Sequence, residues 1–313
     1  MLQFGLREDL DRFLRDAKIS PRVALSYLPL QGDRAKLTVG WGAYYQPVRL
    51  SLLGQTLDQE RVDIFYDSTG SSHVSGPVAS RFALPSRGLR SPHFHTTSVE
   101  WTQTIRRNTF AGIDLIHRNQ RLGLAYENPQ PGLFLLQNNR RDLYRAVHLS
   151  LRHSFGEKAE ISADYTRSSA RSNEVLDYSL RTLVFSPQGP GPLSWDAPDR
   201  FVSSGWAPAP LWQLFVSYFL EYRTGFPFSV VNEQQQLVGA PNRLRFPNYL
   251  SLNIGLEKRF RLFSREWATR LAVINAVSRS NPNAVINNVD APSFLKFTGG
   301  QRRAFTIRLR LVR

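Results

Sequence analysis

The sequence contains no cysteine and only one methionine. Disulfides, thiol nucleophiles and cysteine-held metals are therefore excluded. It has no run of about 18 apolar residues, so no helix can span a membrane. That absence leaves a membrane barrel open. Barrel strands alternate lipid-facing and lumen-facing side chains, and their average stays near neutral, as does the mean hydropathy of −0.32. The start, Met1-Leu2-Gln3-Phe4-Gly5-Leu6-Arg7-Glu8-Asp9, lacks the basic stretch and apolar core of an export signal. An exported protein would carry its signal elsewhere. No run of five basic residues occurs, so the net charge of +15 is scattered along the chain. Scattered charge argues against a nucleic-acid partner.

Catalytic signatures are missing too. There is no Walker loop, HExxH or GxSxG. No residue is assigned a catalytic, cofactor-binding or metal-binding role, and the chain is not read as an enzyme. His93-Phe94-His95 puts two imidazoles on one strand face without a third ligand nearby, and a rim or lumen pair is the stronger reading. His117, His148 and His153 read as ordinary strand residues. Asp58, Glu60, Asp63 and Asp67 form an acidic cluster, but without EF-type spacing they read as a solvated loop. Ser186 to Pro192 reads as an exposed loop tip.

What is present is period-2 alternation. Leu37, Val39, Trp41, Ala43 and Tyr45 share one face, with Lys36, Thr38, Gly40, Gly42 and Tyr44 on the other. Leu250, Leu252, Ile254 and Leu256 alternate with Ser251, Asn253, Gly255 and Glu257. Phe305, Ile307, Leu309 and Leu311 alternate with Ala304, Thr306, Arg308 and Arg310. In Glu160 to Thr166 the polar set is Glu160, Ser162, Asp164 and Thr166. About twelve such segments lie near 2–13, 19–28, 34–45, 93–106, 109–126, 142–155, 157–171, 199–207, 211–230, 248–261, 265–277 and 302–312. Many reach ten residues, the length a spanning barrel strand needs at about 9–11, whereas soluble strands average about five or six.

Connection lengths alternate as well. Leu28 to Arg34, Arg106 to Thr109, Gly156 to Lys158, Ala207 to Leu211 and Arg261 to Glu266 are short. The stretches 46–92, 127–141, 172–198, 231–247 and 278–301 are long and read as loops. Short turns on one rim and long loops on the other mark an outer-membrane barrel, with the long set outside. The fold expected is all-β: an antiparallel, up-and-down transmembrane barrel of about twelve strands. Leu250, Leu252, Ile254, Leu256, Phe305, Ile307, Leu309 and Leu311 are expected to face lipid. Glu257, Arg270, Arg308 and Arg310 are expected to face the lumen. Tyr44, Tyr45, Trp101, Tyr126, Tyr165, Trp206, Trp212, Tyr218, Tyr222 and Trp267 read as interfacial girdles.

Local motifs then suggest a family. Ile19-Ser20-Pro21-Arg22-Val23, followed by Gly40-Trp41-Gly42-Ala43-Tyr44-Tyr45, resembles a strand pair of TonB-dependent receptors of the Oar-like branch. Asp164 to Ser168, Asp199-Arg200-Phe201, Thr224-Gly225-Phe226-Pro227-Phe228, Arg245 to Asn253 and Glu257-Lys258-Arg259-Phe260 resemble further family motifs. So do Asn275-Ala276-Val277 with Asn281-Pro282, and Gly300-Gln301-Arg302-Arg303. They follow the family's order over almost the whole chain. Ser278 departs from the pattern's Asn. Arg313 stands where such barrels end on an aromatic read by the assembly machinery.

The resemblance implies that residues 1–313 are the C-terminal part of a larger barrel of about 22 strands. The plug and an N-terminal carboxypeptidase-regulatory-like domain would lie outside this chain. It implies residence in the cell outer membrane and uptake of a scarce extracellular ligand, driven by a TonB-type energy-coupling protein acting on the missing N-terminal part. Implied partners are outer-membrane lipid and the barrel assembly machinery. Ligand-binding residues are not assigned, because specificity loops diverge freely. The alternatives left open are an adhesion or binding protein without transport, a self-contained porin-like barrel, and a soluble all-β enzyme, against which strand length and the missing catalytic motifs argue.

Overall fold

The computed structural model describes every residue except 12, 13, 15, 31–33, 49, 58, 59, 68, 86, 87, 176–188, 211, 235 and 313. Twelve long antiparallel strands form one wall. In chain order the strands are β1 (Leu2–Asp11), β2 (Asp16–Tyr27), β3 (Ala35–Tyr45), β4 (Arg61–Tyr66), β5 (His73–Ala83), β6 (His93–Arg106) and β7 (Thr109–Arg121). Then come β8 (Gly123–Gln130), β9 (Leu133–Arg140), β10 (Asp142–Phe155), β11 (Ala159–Ser172), β12 (Gly191–Pro192), β13 (Asp199–Pro208) and β14 (Leu214–Arg223). The last are β15 (Pro227–Phe228), β16 (Leu244–Arg245), β17 (Tyr249–Leu262), β18 (Arg265–Ile274), β19 (Ala284–Val285), β20 (Phe297–Thr298) and β21 (Ala304–Val312).

The wall runs β1-β2-β3-β6-β7-β10-β11-β13-β14-β17-β18-β21, so each long strand pairs with the next long strand in the chain. This is the up-and-down order that alternation and connection lengths predict. Among the described residues β1 pairs only with β2, and β21 only with β18. The twelve strands therefore do not close on themselves, which corrects the self-contained porin alternative. β1 and β2 pair as far as Asp11 and Asp16, a short connection on the rim that otherwise carries the long ones.

Register keeps one face apolar across the wall. Tyr27, Leu37, Trp101, Ile113, Leu149, Tyr165, Phe201, Tyr222 and Leu250 pair strand by strand in a single rung. Leu256, Leu271 and Ile307 continue such a rung over the last three strands. Because side chains alternate, a slip of one residue would turn every apolar side chain inward. The neighbouring rung is polar: Ser26, Thr38, Glu100, Asp114, His148, Thr166, Arg200 and Arg223. Glu257, Arg270, Arg308 and Arg310 share the polar face, where Arg310 donates to Glu257 at 2.9 Å. The expected division between the two faces holds.

Strands stop where the backbone turns left-handed. Leu122 (φ 56°) ends the segment expected to run to 126, and Asn275 (φ 52°) ends the one expected to run to 277. Trp212 and Gln213 (φ 62° and 53°) delay the start of β14. Asn tolerates this region because its short polar side chain bonds locally. The Asn275 amide donates to the carbonyls of Arg279 and Gln301, tying down the chain that leaves the wall.

The largest correction concerns the long connections. The stretches 46–92 and 127–141 are not irregular loops. Together with residues 123–126 they hold a four-stranded sheet, β4-β5-β9-β8, in which β5 and β9 run parallel, and a short helix α1 (Leu50–Gly54). Leu52, Phe82, Leu124, Tyr126, Phe134 and Leu136 form its core, with Leu136 fully buried. Phe82 stacks on Phe134 at 5.2 Å, and the Tyr126 hydroxyl donates to the Leu52 carbonyl. That burial pushes the Tyr126 phenol well above its ordinary pKa. Tyr126 is thus a core residue of this sheet and not a girdle residue.

Candidate functional site

The outer sheet meets the polar face of the wall, and a cavity of about 250 Å³ lies at the junction. β6, β7 and β10 supply its floor through Phe94, Arg118, Gln120 and Tyr144. All four alternate onto the polar face. The cavity and the folded connections therefore lie on the polar side of the wall, which makes this the inner side and the apolar face the outward one. Leu52 and Leu124 close the cavity from the outer sheet, and Trp195 closes it from the connection after β12.

The polar groups differ in how well they are satisfied. Arg140 and Asp142 form a two-pronged pair, both bonds at 2.8 Å, so neither is free for a ligand. Arg118 is exposed; it donates to the Thr96 hydroxyl at 3.2 Å and stands 5.9 Å over the Phe94 ring. Gln120 is buried, and its amide nitrogen donates to the Gln46 side chain at 3.0 Å. Its side-chain oxygen has no partner. A buried acceptor without a donor is costly, about 1–3 kcal/mol. Trp195 is half exposed and packs on Tyr144 at 5.5 Å. The cavity thus offers one cationic donor, one unused acceptor and an aromatic surface to a polar ligand.

A second cluster on the same rim gathers the motifs that run from Thr224 to Pro282. The Arg245 guanidinium donates to the buried Asp196 carboxylate and to the Asp196 and Gly225 carbonyls. Gly225 has no side chain because a Cβ there would collide with the Phe246 carbonyl. Phe228, Phe246 and Phe297 pack edge to face and tilted. Asn281 donates to the Leu250 carbonyl and accepts from the Leu250 amide, satisfying the end of β17. These residues brace the long connections above the wall. Their chemistry is spent on one another.

The sequence-based candidates fall in several places. His93 and His95 sit edge to face at 5.1 Å, but Tyr45 and Trp41 cover them in an aromatic ladder. Among the described residues no three His, Cys, Asp or Glu side chains are grouped to hold a metal. Asp58 lies outside the described residues. Asp63 pairs with Arg61, and Asp67 caps its own turn, accepting from the Thr69 hydroxyl and the Ser71 and Ser72 amides. Those bonds, the Thr69 hydroxyl foremost, pull the Asp67 carboxyl down to about 2. Residues 186–188 lie outside the described residues, while Gly191 is buried and pairs with Ser172, so that part is no exposed tip. Tyr45, Trp101, Tyr165, Tyr218, Tyr222 and Trp267 face outward as girdle residues should. Tyr44 and Trp206 face inward, and Trp212 sits in a turn. Sequence reasoning missed Arg118, Gln120 and Trp195. Their chemistry comes from the outer sheet folding over them, and alternation carries no sign of that.

No family model and no curated protein matches this sequence. Solved structures do. The outer membrane transporter YddB from Escherichia coli aligns over 98% of this chain with 14% identity and a TM-score of 0.66. A mutant of the ferric enterobactin receptor PfeA from Pseudomonas aeruginosa aligns over 98% with 12% identity and a TM-score of 0.65. The FrpB iron transporter from Neisseria meningitidis aligns over 94% with 9% identity and a TM-score of 0.58. The chain spans only 42%, 42% and 39% of those proteins. At such identities the likeness establishes the fold alone: this wall is built like part of an outer-membrane β-barrel.

Proposed function

We propose that the chain is the C-terminal barrel part of a TonB-dependent receptor, which takes up a scarce ligand across the outer membrane and performs no catalysis of its own. The observation that carries this reading is the open twelve-strand wall. Its apolar face is continuous, and its fold matches transporters more than twice its length. Two unpaired edges in lipid would expose unsatisfied backbone groups, so the reading requires further strands to complete the ring. Energy coupling belongs to the plug and coupling segment that the resemblance places outside residues 1–313.

The ligand's first contacts are assigned to the cavity under the outer sheet. Arg118 favours an anionic or oxygen-rich group, the Gln120 oxygen takes a donor, and Trp195 stacks on a ring. A ferric chelate of the catecholate kind, the ligand class after which receptors of similar structure are named, has this mix of charge, oxygen and ring. Ferric enterobactin therefore serves as the probe. Tryptophan fluorescence of the protein should be quenched on titration, and Arg118→Ala should weaken that binding about tenfold, one lost charge-assisted contact. Uptake of the labelled probe by cells carrying the complete gene should stop when the proton gradient is collapsed. Uptake that ignores the gradient would sink the receptor reading.

A further inference from the structure

The hydrogen-bonded wall parts at one place. β2 and β3 pair from Tyr27 and Leu37 as far as Arg22 and Gly42, and there their ladder stops. Both strands run on toward the rim of the long connections, β2 back to Asp16 and β3 on to Tyr45. Each keeps its other neighbour: Asp16 to Pro21 stay paired with β1, and Ala43 to Tyr45 with β6. Among the described residues no other neighbouring pair of wall strands parts while both run on for more than one residue. Pro21, the first residue past the break, has no N–H to give to a ladder. The rim is also low here, because β1 and β2 are joined by a short connection.

The parted strands leave a slot of about 450 Å³. It is lined from both faces of the wall, since Lys18 and Asp11 alternate inward while Leu10 and Tyr45 alternate outward. Its charges are already occupied. Lys18 donates to Asp11 at 2.8 Å, both largely buried, and Arg7 donates to Asp9 at 2.8 Å. What remains for an occupant is the exposed Leu10 side chain, the Tyr45 ring and Pro47. Gln46 and Pro47 line both this slot and the cavity under the outer sheet, so the two spaces adjoin. At the foot of the break Tyr44 covers Gly42, and the Arg22 guanidinium stands 5.3 Å from the Tyr44 ring. That stack closes the inner side toward the short turns.

We propose that the slot is a side opening of the wall, and that it takes the acyl chain of an amphiphilic ligand whose polar ring sits in the cavity. This rests on the reading of the cavity as a ligand site and narrows the ligand's class. An acyl chain asks for no hydrogen-bond partner, and the slot's ion pairs leave none to give. It gains from each methylene that leaves water for Leu10, Tyr45 and Pro47. A chain passing through the slot runs from the polar inner side to the outward face, where Leu6, Leu10 and Ile19 are exposed, with Glu8 among them. Head and tail of one molecule would then meet surfaces of matching polarity.

The test uses two probes with the same ring, methyl gallate and dodecyl gallate, on the intact protein in lipid nanodiscs. Quenching of tryptophan fluorescence reports binding, since Trp195 borders the cavity. The sequence has no cysteine, so Leu10→Cys supplies one thiol for modification with a small sulfonate reagent. Modification should weaken dodecyl gallate about tenfold, the contribution of roughly two buried methylene groups. It should leave methyl gallate unchanged. Partition of the dodecyl chain into the bilayer is common to modified and unmodified protein and cancels. Leu25→Cys, outward on β2 but on the paired side of the break, should show no change with either probe when modified. If methyl gallate binds and dodecyl gallate ignores modification at position 10, the side opening is overturned and the cavity reading stands. An equal effect from position 25 has the same meaning. If neither probe binds, the cavity reading falls and this inference falls with it. If Leu10→Cys does not fold, Tyr45→Cys puts the thiol on the other lip of the slot, and the same outcomes decide.

Discussion

The wall and the outer sheet solve opposite problems with the same kind of strand. In the wall, strands of up to fourteen residues leave their apolar side chains on the outside: Phe305 and Ile307 are 76% and 77% exposed. In the outer sheet, strands of six to eleven residues turn theirs inward, and Leu136 is 0% exposed. The wall needs lipid to cover its apolar face. The outer sheet makes its own core and belongs in water. Stability in the first is set by what the surrounding medium dissolves, and in the second by packing.

That contrast can be broken most sharply at the core. Leu136→Ala removes a fully buried side chain and should cost about 2–5 kcal/mol. The loss should stay local. Hydrogen exchange should rise in β4, β5, β8 and β9, while β17, β18 and β21 stay protected. Equal loss of protection in the wall would show that the two regions are one cooperative unit.

The wall has the complementary test. Leu252→Arg puts a charge on the outward face and should cost about 2–4 kcal/mol if the site is near the bilayer midplane. Refolding yield into phosphatidylcholine vesicles measures it. A neutral result would mean that the face does not meet lipid. On the inner face the same strands should be forgiving. Glu257→Gln removes the partner of Arg310 and Arg259, contacts of 2.9 and 3.5 Å at partly exposed side chains. An exposed pair contributes about 0–1 kcal/mol, so thermal unfolding should barely move.

How much of this is legible in the sequence follows from the same contrast. Alternation at period two marks each wall strand because every second residue meets lipid, and Leu250 to Leu256 or Phe305 to Leu311 report it directly. Short turns and long connections then set the order. Glu257, Arg270, Arg308 and Arg310 are legible as inward because charge on alternate residues must leave the lipid face. The outer sheet is hidden for physical reasons. Its strands are short, β5 and β9 join across more than forty residues, and the core draws Leu52 and Phe82 from one connection and Tyr126 and Leu136 from the next. The cavity shares that fate, since Trp195 meets Tyr144 only once the chain after β11 has folded back.

The finest test lies where the two regions meet. Glu174 follows β11 at the start of its long connection, and its carboxyl is raised above the ordinary range, first by burial and then by the nearby Glu127 carboxylate. Glu127 itself belongs to β8 of the outer sheet and accepts from the Asn139 amide at 2.6 Å. A carboxyl raised in the folded state binds its proton more tightly there than in the unfolded chain. Folding then gains on acidification through the window between the ordinary carboxyl value and the raised one, and loses that gain as pH rises above it. Glu174→Gln makes the neutral form permanent. At neutral pH the substitution should stabilise the junction, with slower exchange in β8 and in residues 173–175. Toward pH 4 the advantage should vanish, because the native carboxyl is then protonated as well. An advantage that stays constant across pH would mean that neither burial nor the Glu127 carboxylate raises the Glu174 carboxyl where wall and outer sheet meet.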